Sequence, residues 1–184
     1  VYVPTEQVNK NDKPTLKDYV CSEFIRKKID NFSKDTKGKF KHFNLLLTGQ
    51  PGSGKTYLAN CLSGEYNKPL VYHSGSFIDV FVGSGKRKIQ ELFDKTLECG
   101  GILVLDEFHM VLKEARYESE TLALLLSLLE SDVYKKNISV VLAGNTFQPT
   151  HGNDILYEAI LRKGRVDFSL DIPRPSVLEM CKFL

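Results

Sequence analysis

Three short stretches of this chain have the residue types and spacing to handle a phosphate chain. The first, Gly49-Gln50-Pro51-Gly52-Ser53-Gly54-Lys55-Thr56, fills G-x-x-x-x-G-K-[ST] completely. Glycines there let successive backbone N–H groups converge on phosphate oxygens, and the start of the following helix adds partial positive charge. Lys55 then reaches the terminal phosphates and Thr56 offers a hydroxyl to Mg2+. The plainer alternative, a Gly-rich surface turn capping a helix, would meet the full pattern by chance in roughly one chain in two hundred of this length.

The second stretch is Ile102-Leu103-Val104-Leu105-Asp106-Glu107, an apolar run ending in two carboxylates. Ligands of open α/β sheets bind at the carboxyl ends of strands, so Asp106 faces the same crevice as Thr56 and holds Mg2+ through water. Glu107 becomes the base that orients and polarises an attacking water. Read in isolation, the pair would be an N-cap and a first-turn acid of the next helix. The phosphate loop upstream decides for the catalytic reading. The third stretch, Leu142-Ala143-Gly144-Asn145-Thr146, carries an amide at a strand tip, able to hydrogen-bond both a terminal phosphate and the attacking water. Further on, Leu161-Arg162-Lys163-Gly164-Arg165 holds two arginines at a helix end; within one subunit a cationic helix C-terminus closed by Gly164 would account for them.

Such groups act together only if the chain delivers them to one edge of a sheet. The apolar burst Phe43 to Leu47 reads as a buried parallel strand. After it the pattern alternates: helix from Lys55 to Leu62, strand Leu70 to Tyr72, helical stretches over Phe77 to Leu97, strand Ile102 to Leu105, helices over His109 to Glu130, strand Ile138 to Leu142, helix Asp154 to Leu161, strand Val166 to Ile172. Alternation of this kind predicts an α/β fold with a mostly parallel sheet sandwiched by helices. Ahead of it, Leu16, Val20, Phe24, Ile25, Ile29 and Phe32 predict an amphipathic helix capped by Thr15. Residues 1–14 read as an extended arm or linker, 15–172 as one domain, and 173–184 as the start of a helix leading toward a further domain.

The 184 residues, 42% apolar, suffice for one full core but not for two large domains. Twenty-five basic against 23 acidic residues leave a net charge of +2, which argues against a broad nucleic-acid footprint. No apolar run approaches the roughly 20 residues of a membrane span, so no membrane contact is expected of this chain. Cys21, Cys61, Cys99 and Cys181 lie far apart with no zinc-ligand spacing, and are expected to be reduced, mostly buried thiols of the cytoplasm or another reducing compartment. Val1 in place of Met, with no signal-peptide pattern, is what a piece of something longer would show.

In order and separation, the phosphate loop, the Leu-Asp-Glu strand end, the Asn-tipped strand and the Arg-Lys-Gly-Arg segment resemble the large nucleotide-binding domain of an AAA+ ATPase, a P-loop NTPase fold. The resemblance runs from about Thr15 to Pro175. Ser74 to Gly85, followed by Ile89-Gln90-Glu91-Leu92-Phe93, is similar to the matching stretch of FtsH-type protease motors. The resemblance implies ATP and Mg2+ as cofactors, Asn145 as the first sensor, and Arg162 and Arg165 as fingers reaching the nucleotide of a neighbouring subunit. It therefore implies a homo-oligomer, a hexameric ring, as the active form. It also implies that Phe81-Val82-Gly83 projects into the pore and grips a polypeptide substrate; the alternative for Phe81 is a core helix, which Gly83 and Gly85 argue against.

Two positions depart from the family pattern: His109 stands where Asp is usual, and Gly144 where Thr is frequent. The Gly-Asn tip and the Leu-Arg-x-Gly-Arg that follows look somewhat like rubisco activase. No His-Glu-x-x-His occurs, so proteolysis is not expected of this chain. The function expected is ATP hydrolysis in a polypeptide-threading motor; the alternative is a nucleic-acid loader or replication ATPase, for which Lys86-Arg87-Lys88 is the basic cluster.

Overall fold

The computed structural model describes residues 13–38, 42–75, 84–114, 119–145 and 154–174, together with 176 and 181. Among them the elements run α1 (Glu23–Gly38), β1 (Asn44–Thr48), α2 (Lys55–Glu65), β2 (Leu70–Ser74), α3 (Ser84–Cys99), β3 (Ile102–Asp106), α4 (Phe108–Glu114), α5 (Ser119–Glu130), α6 (Asp132–Lys135), β4 (Ser139–Gly144), α7 (Asp154–Leu161) and β5 (Phe168–Asp171). The strands form one sheet, order β2-β3-β4-β1-β5, with every pairing parallel. The fold is thus the α/β architecture expected of the alternation, and the carboxyl ends of its parallel strands lie on one side of the sheet.

The apolar strand runs divide cleanly by parity because successive side chains point to opposite faces of the sheet. Leu45, Leu47, Ile102, Val104, Val141 and Ala143 pack with Ile25, Ile29 and Phe32 of α1 and Leu58 and Leu62 of α2. Leu46, Leu103, Leu105, Val140 and Leu142 pack on the other face with Ile89 and Phe93 of α3, Phe108 of α4 and Leu122, Leu125 and Leu129 of α5. Both faces are buried, which is why β1 and β3 read as continuous apolar runs rather than alternating ones.

The expected helix starting at Thr15 is corrected. Thr15 donates both its N–H (2.7 Å) and its hydroxyl (3.0 Å) to the Asp18 carboxylate, closing a turn instead of capping a helix. Ser22 Oγ accepts the Ile25 N–H at 3.4 Å and so caps α1. The Arg26 guanidinium donates to the carbonyls of Leu16, at 2.5 Å, and Tyr19, taking acceptors that a helix would have used. Phe24, assigned to the apolar face, is 66% exposed, with Lys28 Nζ 4.5 Å from its ring centroid. α3 is described from Ser84, so residues 77–83 of the helix expected from Phe77 lie outside the described residues. None of the four cysteines is in a disulfide, but only Cys61 is buried; Cys21 is half-buried and Cys99 and Cys181 are exposed. Most of the segments 1–14 and 173–184 lies outside the described residues.

Candidate active site

The chain turns from β1 into α2 through the phosphate loop. Gly54, at φ 90°, supplies the left-handed residue immediately before α2, a conformation that side-chain-bearing residues adopt only at a cost. Gly49 is fixed by space: a Cβ there would lie 2.2 Å from the Ile172 carbonyl oxygen and 2.8 Å from Ser53 Oγ. Lys55 is buried, its ammonium donating to the carbonyls of Gly49 (2.9 Å) and Gln50 (3.0 Å). Burial pulls this lysine below its ordinary pKa, an effect partly offset by Asp106 and Asp171. The loop therefore folds around its own cation, held where a phosphate chain would draw it out.

On the opposite side, β3 ends at Asp106, whose Oδ2 accepts the Thr56 hydroxyl at 2.6 Å. A hydroxyl and a carboxylate converging in this way are the hard oxygen donors that Mg2+ takes alongside waters and substrate phosphates. Among the described residues, no cluster of three or more His, Cys, Asp or Glu could hold a metal. One hydroxyl and one carboxylate fit an ion that takes its remaining ligands from substrate phosphates and water. Glu107 follows with φ 54°, a left-handed conformation costing a side-chain-bearing residue about 1–2 kcal/mol. Its N–H is held by Asp106 Oδ1 at 2.8 Å and its carbonyl accepts the Met110 N–H at 2.7 Å, so the turn is fixed on both sides. The carboxylate itself is exposed to the cleft, within 3.4 Å of Ser74 Oγ.

Asn145 follows β4, half-buried, with Nδ2 3.4 Å from His109 Nε2. The unusual glycine before it has a spatial reason: a Cβ on Gly144 would come within 3.3 Å of the His109 backbone nitrogen. Pro51 to Thr56, Asp106, Glu107 and Asn145 line one cleft of about 570 Å³. Tyr57, Tyr72 and Ser74 join the lining, and sequence reasoning missed all three. The available signal was the register: in a parallel β2–β3 pair, Ser74 lies opposite Asp106. Burial and then the Asp106 carboxylate, which accepts the Tyr72 hydroxyl at 2.8 Å, push that phenol up to about 12.

Arg162 and Arg165 do not line this cleft. Arg165 is tied within its own chain, donating Nε to Glu130 at 2.7 Å and Nη1 to the Ala159 carbonyl at 2.6 Å, whereas Arg162 is exposed just beyond α7. Phe81, Val82 and Gly83 lie outside the described residues.

Comparison with known proteins agrees with this geometry. Residues 45–174 match the family model described as ATPase family associated with various cellular activities (AAA). The chain is 33% identical to ATP-dependent zinc metalloprotease FTSH 9, chloroplastic/mitochondrial, of Oryza sativa subsp. japonica, over 96% of this chain and 24% of that protein. It is 37% identical to ATP-dependent zinc metalloprotease FTSH 11, chloroplastic/mitochondrial, of Arabidopsis thaliana, over 72% of this chain and 16% of that protein. It is 36% identical to ATP-dependent zinc metalloprotease YME1L1 of Rattus norvegicus, over 72% and 19% respectively. The chain thus spans a quarter or less of the length of these relatives. No helix among the described residues is long and apolar enough to cross a membrane. With the phosphate loop, the acidic strand end and the family match in agreement, the chain belongs to the AAA family and carries its ATPase domain.

Proposed function

We propose that this chain is the ATP-hydrolysing module of a hexameric, ring-forming motor that unfolds or remodels polypeptide, with residues 15–172 as its large nucleotide-binding unit. The observation that carries the reading is the 2.6 Å contact between Thr56 and Asp106 inside a cleft that also holds the phosphate loop and the Glu107 carboxylate. The loop N–H groups and Lys55 bind the phosphates, and Thr56 and Asp106 hold Mg2+, which neutralises phosphate charge when bound. Glu107 orients a water and accepts its proton; Asn145, carrying no charge, positions that water against the terminal phosphate. Arg162 and Arg165 are assigned to the neighbouring subunit's site. Arg162, exposed and just past α7, is the one tested first, because Arg165 is held by Glu130.

Relatives named as ATP-dependent proteases support a polypeptide as the cargo. The nucleic-acid alternative is not favoured: of its basic cluster, Lys86 is ion-paired with Glu120. Four cysteines, none of them in a disulfide, support a reducing compartment.

The test uses the full-length protein. Turnover per subunit should rise with protein concentration, and Arg162→Ala mixed with Glu107→Gln should regain partial activity, since one partner lends the arginine and the other the base. In the same assay Phe81→Ala should keep basal hydrolysis but lose stimulation by unfolded protein. Mutants that co-assemble yet stay inactive, with turnover independent of concentration, would refute the ring; a Phe81→Ala protein stimulated like the wild type would refute the grip.

A further inference from the structure

Tyr72 makes a contact that neither burial nor strand formation requires. It sits on β2, at the edge of the sheet, and is 38% exposed, so water could satisfy its hydroxyl. Instead the phenol donates to Asp106 Oδ2 at 2.8 Å, the same oxygen that accepts the Thr56 hydroxyl at 2.6 Å. The other carboxylate oxygen, Oδ1, accepts the Glu107 N–H at 2.8 Å. Three donors from β2, α2 and the turn after β3 thus hold one carboxylate in a single orientation.

The register explains why this position needs a tyrosine. Tyr72 pairs with Val104, while Asp106 lies opposite Ser74, two residues further along. Two residues of strand are about 6.6 Å. A serine or threonine at position 72 could not bridge that distance, whereas a phenol can. Residues 72 and 74 share a strand face by alternation, so β2 presents one hydroxyl to each member of the carboxylate pair, Tyr72 to Asp106 and Ser74 to Glu107.

We propose that Tyr72 is a positioning residue for the metal end of the nucleotide site, holding the Asp106 carboxylate so that it and the Thr56 hydroxyl together receive the divalent cation. This rests on the reading of the cleft as a Mg2+–nucleotide site. Groups that orient a ligand from behind typically alter metal affinity by about 10–100-fold when removed. The Tyr72 hydroxyl is donated to Asp106 and not to the phosphate loop, so its loss separates metal-dependent from metal-independent binding.

The experiment is an equilibrium titration of a fluorescent, non-hydrolysable ATP analogue against the full-length protein, with stepped Mg2+ and separately in EDTA. Tyr72→Phe keeps the ring and should melt within about 2 °C of the wild type. It should raise the Mg2+ concentration giving half-maximal tightening by about tenfold, with EDTA affinity unchanged. Tyr72→Leu, which also lacks the hydroxyl, is read in the same way if the Phe variant melts early. An unchanged Mg2+ dependence, or equal weakening with and without Mg2+, would overturn the proposal. Asp106→Asn separates the two levels: it should abolish the Mg2+ response, and if it titrates like the wild type, the metal-site reading itself fails and the role of Tyr72 with it.

Discussion

On the loop side of the cleft, the contacts are mostly local: Lys55 donates to the carbonyls of Gly49 and Gln50, and the backbone path at Gly49 is held by close approach to Ile172. On the strand side, the facing groups come from separate elements: Tyr72 and Ser74 on β2, Asp106 and Glu107 at the end of β3, and Asn145, beside His109, after β4. The first is fixed by backbone conformation and packing, so a single atom added at Gly49 disturbs it. The second is fixed by side-chain hydrogen bonds between strands in register, so its members can be altered one at a time, each with its own consequence.

The largest effect should follow Gly49→Ala. Its Cβ would be placed 2.2 Å from the Ile172 carbonyl oxygen, and overpacking against backbone together with the strained conformation should cost on the order of 4 kcal/mol, visible in a denaturant melt. A variant of wild-type stability would show that the loop side is not fixed by packing. Lys55→Ala should leave the fold intact at a cost of about 1–3 kcal/mol, since it removes the donor to the buried Gly49 carbonyl and to Gln50 and Ser53, yet lower ATP affinity by roughly 100-fold or more in a binding titration, the lysine being the loop's charged donor to phosphate. Retained affinity would remove the lysine from the phosphate site. Ser74→Ala should do least: a 3.4 Å contact to an exposed carboxylate should change turnover by about threefold at most, with ATP binding unaltered. A tenfold or greater loss would show that the strand side is as intolerant as the loop.

The same contrast governs what the sequence made legible. The phosphate loop could be read residue by residue because its contacts are local. The alternation of apolar runs located β1, β3 and β4 to within a residue or two because both sheet faces are buried, and the acidic ending of β3 identified Asp106 and Glu107 as candidates. Tyr72 and Ser74 were not legible, since their partners lie 34 and 33 residues away and meet them only through the β2–β3 register. The tie between Arg165 and Glu130, 35 residues apart, is likewise tertiary. The misplaced start of α1 has a local cause: Leu16 and Tyr19 are buried, as a helical stripe would be, but by a turn whose carbonyls are bound by Arg26. The short helix α6 left no periodic trace because none of its four residues is buried.

The measurement that bears most directly on this account is ATP binding and turnover of Glu107→Gln in the full-length protein. The amide keeps the size and shape of the carboxylate but cannot take the proton of the attacking water. ATP should therefore bind within about threefold of the wild type while turnover falls by about 10²–10⁴-fold. Turnover close to wild type, with binding intact, would contradict the assignment of Glu107 as the base and with it the chemistry attributed to this cleft.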